Sequence, residues 1–362
     1  MNPDIKTAIV FDTAAESSGA LSVLKGFYQA AREDKSVNWI FVISKPNLEE
    51  SDNVKVLNFP ETKKSWLHRL YFDWFVAPKL AKIYKADCIF SLQNICVRSD
   101  SIPQLLFIHQ SIPFCDKKFS LFKTPKLWIY QNVISRLIFF SAKKADRIAV
   151  QTAWMKNALL SKISCFPEKI AIIPPEIKLN EGKKFKNSPS AFKSFFYPAM
   201  PLSYKNHEAI LHAVKILKSA GYTDFSLYFT IPPDSKTAKK FSAEKININA
   251  LGMISAGEMC KFYSETVTIF PSYLESFGYP LMEARIAEAP IIASDTSFSH
   301  EILDGYENAK FFKFDNPQEL ANLMKECICG NFGYRPPKNE FSLVKGGWKN
   351  IINLIKDLQK KQ

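Results

Sequence analysis

The sequence has no run of about 18 or more uncharged apolar residues, so it offers no candidate transmembrane helix. The first ten residues, MNPDIKTAIV, also lack the basic-then-apolar order of a secretory signal. We therefore expect a cytoplasmic protein.

Paired cysteine patterns are missing as well. The seven cysteines, an odd number, are scattered at positions 88, 96, 115, 165, 260, 327 and 329 and form neither a disulfide framework nor a zinc-site spacing. Cys327 and Cys329 are too close together for a C-x-x-C site. This predicts reduced thiols.

Acidic residues are the under-represented charge, with 35 Asp and Glu against 48 Lys and Arg, a net charge of +13. The excess is concentrated in two segments, from Thr62 to Lys85 and from Lys117 to Arg147, where basic residues alternate with large aromatic residues. This pattern is typical of a surface that meets anionic lipid headgroups. The alternative is that the aromatics are core residues and the lysines are solvated.

Nucleic-acid binding would use the same positive charge. The sequence, however, has no zinc finger, no RNP-like aromatic motif and no basic region with heptads. We therefore expect no nucleic-acid partner.

Short β-rich runs alternate with longer helical stretches, which predicts α/β layers with parallel sheets. In the first half, buried strands are expected at residues 7–12, 38–44, 88–92, 104–109 and 146–151, and helices at 20–32 and 78–85. In the second half, strands are expected at 195–199, 226–231, 248–252, 267–272 and 290–295.

A length of 362 residues favours two domains. The polar stretch KLNEGKKFKNSPSAFKS, residues 178–194, reads as a linker. The predicted domains are 1–180 and 181–345, both Rossmann-like, with a C-terminal helix at 346–362.

The stretch FPSYLESFGYPLMEARIAEAPIIASD, residues 270–295, contains two glutamates, Glu275 and Glu283, with seven residues between them. It reads as a strand, a loop and a helix from Gly278 to Ala289, with Pro280 in the first turn, where no backbone donor is needed. Amides at such a helix start can bind phosphate. Glu283, near the positive helix terminus, should stay ionised. Taken alone, the two glutamates leave the alternative that Glu283 only complements the helix dipole and that Glu275 is solvent-exposed.

The same stretch, with His300 and Glu301 after it, resembles the E-x7-E signature of the retaining glycosyltransferases of family 4. The segments YKNHEAILHA, PQLLFIHQSIPF and ADRIAVQTAWMKNAL are similar to other parts of that family, so the resemblance touches most of the chain from about residue 86 to 320. It implies the GT-B fold, with two Rossmann-like, doubly wound domains that face a cleft. The first domain would be the acceptor side, the second would bind the nucleotide sugar, and the C-terminal helix would cross back to the first domain.

The resemblance also implies roles for the matching residues. Lys205 would contact the donor diphosphate, Glu275 the hydroxyls of the donor sugar, and His109 would lie beside its reacting end; these are the predicted catalytic residues. Glu283 would bind the ribose. The other predicted donor-binding residues form the phosphate-binding turn, the glycine-containing loop after the first strand and the neighbour of Lys205, namely Ser276, Phe277, Gly278, Tyr279, Pro280, Leu281, Ser18, Gly19 and Asn206.

Two positions depart from the family. Met200 stands where relatives often have a second phosphate-binding arginine, and Glu288 stands where they tend to have glycine. No D-x-D sequence follows a strand, which agrees with the family's usual independence of a metal. We expect no bound cofactor and no metal.

The predicted function is a retaining, metal-independent glycosyltransferase, a hexosyltransferase of class EC 2.4. It would transfer a sugar from a nucleoside-diphosphate sugar to a lipid-linked or other glycan acceptor in capsule, O-antigen or exopolysaccharide assembly, on the inner face of the cell membrane. The alternative is an inactive GT-B-like protein that binds nucleotide sugars or acts as a scaffold.

Overall fold

The structure is a computed structural model and describes residues 4–16, 18–99, 101–177, 183–337 and 347–360. The chain divides into two compact units. The first unit comprises Met1–Glu176 with Val344–Gln362, and the second unit comprises Ile177–Leu343.

The first unit is built on a seven-stranded parallel sheet with the strand order β3-β2-β1-β4-β5-β6-β7. Most of its strands are continuous buried apolar runs, as expected for a parallel sheet covered on both faces. The strands are β1 Thr7–Asp12, β2 Asn38–Ile43, β3 Val54–Asn58, β4 Cys88–Ser91, β5 Gln104–Ile108, β6 Arg147–Val150 and β7 Ile170–Ile172.

The helices of the first unit follow the predicted α/β alternation. Two π-helical turns, Phe72–Val76 and Tyr130–Ile134, each join two consecutive helices. The helices are α1 Ser18–Glu33, α2 Trp66–Tyr71, α3 Ala77–Ile83, α4 Pro125–Ile129, α5 Ser135–Lys144 and α6 Ala153–Leu160, and the C-terminal helix Trp348–Lys360 packs against α1.

A close approach of two helices fixes the C-terminal helix in the first unit. Gly26 in α1 leaves room for the indole of Trp348, since a Cβ at Gly26 would stand 2.7 Å from the indole nitrogen. The Trp348 ring also packs edge-on against Phe27, with ring centroids 5.5 Å apart. One face of the sheet is therefore covered by α1 and the C-terminal helix.

The second unit has a six-stranded parallel sheet with the order β10-β9-β8-β11-β12-β13. Its strands are β8 Ser194–Tyr197, β9 Ser226–Phe229, β10 Asn249–Ala250, β11 Val267–Phe270, β12 Ile291–Ser294 and β13 Ala309–Phe312. Its helices are α7 His207–Ser219, α8 Lys236–Ala243, α9 Ala256–Glu265, α10 Tyr279–Ile286, α11 Ser297–Ile302 and α12 Pro317–Ile328, so that the C-terminal helix of the chain, Trp348–Lys360, is α13.

The predicted linker at 178–194 is wrong for its second part, while residues 178–182 lie outside the described residues. The Phe185 amide donates to the Ala287 carbonyl oxygen at 2.7 Å. The rings of Phe185 and Phe192 are buried and pack together at a centroid distance of 5.6 Å. The apolar residues of this polar-looking stretch therefore belong to the core of the second unit.

Among the described residues, no helix combines the length and the apolarity needed to cross a membrane.

Candidate active site

The loop after β11 and the start of α10 form the turn that the sequence singled out. Gly278 precedes α10 with φ +92° and ψ 54°, a left-handed conformation that favours glycine, and Pro280 lies in the first helical turn. The N–H groups at a helix start have no partner within the helix, so this turn can provide amide donors to an anion. The helix ends at Ile286, three residues before the predicted Ala289.

Glu288 explains both the early end of α10 and the departure from the family. Its φ is +61°, the left-handed region that terminates helices and that costs a non-glycine residue roughly 1–2 kcal/mol. Its carboxylate lies 2.8 Å from the Nζ atom of Lys184. Glu288 therefore adopts the left-handed backbone conformation that glycine would favour at this helix end, and its side chain pairs with Lys184.

Lys205 and Glu275, two of the three predicted catalytic residues, contact each other. The Lys205 Nζ and Glu275 Oε1 atoms lie 2.5 Å apart, and the two side chains are only 15% and 14% exposed. The hydroxyl of Ser272 also donates to Glu275 Oε1 at 2.7 Å. Glu275 is thus a mostly buried, doubly bonded carboxylate, and the alternative of a solvent-exposed Glu275 is wrong.

Backbone hydrogen bonds hold these two residues together although they are distant in sequence. Lys205 ends a 3₁₀ turn, Ser203–Lys205, whose Tyr204 carbonyl accepts from the amide of Tyr273 at 3.1 Å. The Tyr197 hydroxyl donates to the Lys205 carbonyl at 2.7 Å. The turn that carries Lys205 is therefore hydrogen-bonded to the loop that carries Glu275.

Asn206 is part of this framework. It has a positive φ of 57°, and its side-chain amide donates to the carbonyls of Pro271 at 3.2 Å and Phe314 at 2.8 Å. This amide group thus holds the chain in place. The predicted contact of Asn206 with the donor stays a prediction.

Glu283 has a partner that the sequence did not indicate. The hydroxyl of Tyr263 donates to Glu283 Oε2 at 2.7 Å. Burial raises the pKa of Glu283, and the Tyr263 hydrogen bond offsets only part of that rise. Tyr263 lies 20 residues upstream in another helix, with no local signal to link it to Glu283.

The other residues of the turn divide into core and surface. The side chains of Phe277 and Leu281 are buried, while Tyr279 is exposed. Phe277 can therefore offer a ligand only its backbone, whereas the Leu281 amide already donates to the Gly278 carbonyl at 3.0 Å. The predicted contacts of both residues with the donor stay predictions. Ser276 and Pro280 are partly buried. Met200, where an arginine was expected, is 52% exposed.

His109 follows β5 in the first unit. Its Nε2 lies 2.9 Å from the Leu92 carbonyl oxygen, so Nε2 carries a proton and the other ring nitrogen, Nδ1, is the acceptor. The backbone amide of His109 donates to Asn94 Oδ1 at 2.8 Å. Burial lowers the pKa of His109, which keeps the ring neutral.

Ser18 and Gly19 form the first turn of α1, directly after the loop that follows β1. No atom lies within 4 Å of the place where a Cβ of Gly19 would stand. Packing therefore does not require glycine at position 19. The predicted role of Gly19 in donor binding stays a prediction.

A polar cluster at the carboxyl ends of β1 and β4 was not predicted. It comprises Asp12, Thr13, Arg69, Asp73 and Gln93. Arg69 donates to Gln93 Oε1 and to Asp73 Oδ2, each at 2.7 Å, and the Thr13 hydroxyl donates to Gln93 Oε1 at 3.3 Å.

Asp12 is the most unusual member of this cluster. Its Oδ1 accepts from the Ala15 amide at 3.2 Å, whereas its buried Oδ2 has no hydrogen-bond partner. Burial raises the pKa of Asp12 to about 7, despite the opposing effects of the Ala15 hydrogen bond and Arg69. The sequence signal that could have identified Asp12 was a carboxylate at the end of an otherwise apolar strand.

Within the described ranges, no three His, Cys, Asp or Glu side chains are grouped so that they could hold a metal ion.

Residues 180–332 match the family model described as glycosyl transferases group 1. Two curated relatives are mannosyltransferases. The serotype-specific mannosyltransferase WbdA of Escherichia coli is 23% identical over 72% of this chain and 32% of its own length. The O-antigen chain mannosyltransferase RfbU of Salmonella typhimurium (strain LT2) is 22% identical over 58% of each chain. The matched region thus spans about a third of WbdA.

Solved structures share the architecture of nearly the whole chain. Sucrose-phosphate synthase from Thermosynechococcus elongatus superimposes with a TM-score of 0.68 at 16% identity, covering 99% of this chain and 97% of that one. HepE from Anabaena, in complex with UDP and glucose, gives a TM-score of 0.63 at 13% identity, covering 99% and 98%. The predicted fold is therefore confirmed: the chain has the GT-B fold, and residues 180–332 match the glycosyl transferases group 1 family model.

Proposed function

We propose that this protein is a glycosyltransferase that transfers a sugar from a nucleoside-diphosphate sugar to a glycan acceptor in cell-surface polysaccharide assembly. The observation that carries the proposal is the buried Lys205–Glu275 pair, held by the loop that leads into the Gly278 turn. The family match of residues 180–332 and the O-antigen relative support the same reaction class.

The contacts within the second unit suggest how a donor would be held. A diphosphate would compete with Glu275 for the Lys205 ammonium, and amides at the start of α10 would share its charge. Glu275, released from part of its ion pair, would then accept hydrogen bonds from the sugar hydroxyls. Glu283, held by Tyr263, would accept from the ribose hydroxyls.

The finer points of the reaction are proposals of the same kind. Lys205 and the helix amides would stabilise the departing diphosphate without a metal. The acceptor hydroxyl would attack from the face that the diphosphate leaves, which gives retention and needs no carboxylate nucleophile. Neutral His109 would contact the sugar through Nδ1, since Nε2 is bonded to Leu92.

A panel of UDP-sugars and GDP-sugars tests the activity. UDP is bound in a protein of the same fold, and two relatives are mannosyltransferases, so both nucleotides belong in the panel. We expect thermal stabilisation by one nucleotide class and release of its diphosphate. A folded sample that binds no member of the panel would rule out the proposal.

We expect Glu283→Ala and Glu275→Ala to separate binding from transfer. Glu283→Ala should weaken nucleotide diphosphate binding by about tenfold to a hundredfold, because it removes charge-assisted hydrogen bonds to the ribose. Glu275→Ala should not lower that affinity, because it removes the carboxylate that competes with the diphosphate for Lys205, and it should mainly lower kcat, because Glu275 acts on the sugar. Calorimetric titration with UDP or GDP and initial rates check the two effects.

Glu265→Ala is the matched control, because this glutamate also forms a lysine pair in the second unit but is more exposed. It should change neither quantity. Equal losses of nucleotide affinity in the Glu275 and Glu283 variants would contradict the division between sugar and ribose.

Met200 favours one second candidate, a GT-B protein that binds nucleotide sugars without transferring them. An exposed methionine replaces one cation of the phosphate site, so the leaving group would be less stabilised. The donor panel separates the two candidates, because tight binding without diphosphate release at any acceptor concentration would favour the inactive form.

We further propose that the acceptor is lipid-linked and that the protein works at the cytoplasmic face of the membrane. Large apolar side chains are exposed on the two basic segments of the first unit, among them Trp66, Leu67, Tyr71, Phe75 and Phe122. Aromatic residues between lysines suit a lipid headgroup region. This supports the membrane interpretation over the core interpretation for these side chains.

Vesicle sedimentation tests that surface. Each Lys near an anionic membrane contributes about 1 kcal/mol, so replacing exposed Lys117, Lys118, Lys123 and Lys126 by serine should strongly reduce pelleting with anionic vesicles. Four lysines of the second unit, Lys215, Lys218, Lys239 and Lys245, provide a charge-matched control that should pellet like the wild type. Unchanged pelleting of the first variant would reject this patch.

A further inference from the structure

The connection from β4 to β5 creates a groove in the first unit. Residues 92–99 and 101–103 of this connection contain no helix, although helices connect β3 to β4 and β5 to β6. On this face of the sheet the core is accordingly split into two clusters, one under α2 and α3 around Phe72 and one under α5 around Ile138. The gap between them is a cavity of about 1270 Å³.

The walls of the groove are apolar and face each other across the connection. They are formed by side chains of α2 and its π-helical turn on one side and of the π-helical turn and α5 on the other: Trp66, Leu70, Trp74, Val133, Leu137 and Phe140. Single-turn π segments in helices occur frequently at functional sites. The volume exceeds the roughly 300–1,000 Å³ of ordinary small-molecule pockets.

One end of the groove is basic. Arg98, Lys144 and Arg147 line it, and the Val97 amide donates to Gln104 Oε1 at 3.1 Å, which places Arg98 beside the first residue of β5. Lys144 and Arg147 flank the start of β6. The three cations therefore gather at the amino edge of the sheet, the edge opposite His109.

The acidic residues of the lining already have partners. Asp73 pairs with Arg69 at 2.7 Å, and Asp146 accepts from the Gln104 amide at 2.8 Å. At the amino edge of the sheet the Asp146 carboxylate offsets one of the three cations, which leaves a net positive charge, and Arg136 adds a further cation beside the mainly apolar walls. This combination complements an anionic head joined to a long apolar chain.

We propose that this groove binds one membrane phospholipid, with its phosphate against Arg98, Lys144 and Arg147 and an acyl chain along the aromatic walls. Such a site would hold the first unit on the bilayer by a lipid drawn partly into the protein, in addition to contacts of its outer surface. The proposal goes beyond sugar transfer and does not depend on it, because none of these residues belongs to the donor-binding groups described above. It shares Trp66 and the two basic segments with the proposed membrane surface.

Binding of dodecyl phosphate below its micelle concentration tests the groove. Trp66 and Trp74 line it, so saturable quenching or enhancement of tryptophan fluorescence reports occupancy. We expect dodecyl phosphate to bind, and dodecanol and inorganic phosphate to bind at least about tenfold more weakly, since each offers only half of the contacts. Equal binding of dodecanol would overturn the proposed phosphate site.

Matched variants locate the binding. Phe140→Asp and Lys144→Glu should each weaken dodecyl phosphate binding by about tenfold. Phe75→Asp and Lys143→Glu are controls outside the lining; Phe75 is 53% exposed and Phe140 59%, so neither aspartate disturbs a buried core. Both controls should bind as the wild type does.

Phosphatidic acid vesicles with bromine-labelled acyl chains then test the natural source. At equal amounts of vesicle-bound protein, the brominated chains should quench the tryptophan fluorescence of the wild type more than that of the Phe140→Asp variant. Equal losses in the groove variants and their controls, or no loss in any of them, would overturn the proposal. Nucleotide binding, measured in the same variants, should be unchanged, which separates this result from failure of the transferase proposal.

Discussion

Lys205→Ala is expected to lower kcat/KM for sugar transfer by about 10²–10³, the usual effect of removing one preorganised charge-stabilising donor. The ammonium of Lys205 lies 2.5 Å from Glu275 in a mostly buried pair, and the substitution removes the cation that we propose for the diphosphate. With Met200 where relatives often have an arginine, we expect this lysine to carry more of the leaving-group charge than it would in a two-cation site. Initial rates of nucleotide diphosphate release measure the effect.

The substitution also leaves Glu275 without its cation, so folding must be measured in parallel. We expect a loss of about 1–3 kcal/mol in the free energy of unfolding, and thermal denaturation will show whether the variant is folded at the assay temperature. Lys240→Ala is the matched control, because Lys240 makes a 2.5 Å pair with Glu208 at an exposed site. A folded Lys205→Ala enzyme with at least half of the wild-type kcat/KM would contradict the assigned role.

Asp12→Asn is expected to change how stability depends on pH. The folded-state pKa of Asp12 is about 7 against an ordinary value of 3.8, so its stabilising contribution is complete below 3.8 and is lost as the pH rises through 7. Asparagine keeps the acceptor for the Ala15 amide and has no charge to bury. Between pH 5 and 7.5 the variant should gain roughly 2–3 kcal/mol of stability relative to the wild type.

Urea unfolding at the two pH values gives these free energies. Asp224→Asn is the control, because the side chain of Asp224 is 83% exposed. It should show no comparable shift between the two pH values. A constant difference between the Asp12→Asn variant and the wild type would mean that Asp12 does not titrate with a raised pKa.

The secondary structure was largely predictable because buried parallel strands are continuous apolar runs. The strands missed were β3, β7 and β13, which are less buried than the central strands. Two of them, β3 (VKVLN) and β13 (AKFF), also contain a lysine. The linker prediction was wrong at Phe185 and Phe192 because these two buried aromatic side chains anchor a stretch that is otherwise polar.

At the candidate site, the residue types were predictable and their partners were not. Gly278 and Pro280 could be placed from their backbone preferences, and Glu275, Glu283, Lys205 and His109 from a resemblance. Nothing local pointed to Tyr263 beside Glu283, to Ser272 beside Glu275 or to Asn94 beside His109. The Tyr263 and Asn94 contacts join residues 20 and 15 positions apart, whereas Ser272 and Glu275 lie three positions apart on one loop whose conformation the sequence does not specify.

The sequence by itself determined the alternation of strands and helices, the turn at Gly278 and the concentration of basic and aromatic residues in the first half, because these depend on local backbone preference and on composition. Only the tertiary structure decided that Lys205 neutralises Glu275, that burial raises the pKa of Glu283 and Asp12, and that a helix-free connection opens a groove between two core clusters. Burial and charge pairing depend on which distant segments meet, and parallel sheets bring together strands that are far apart in the chain.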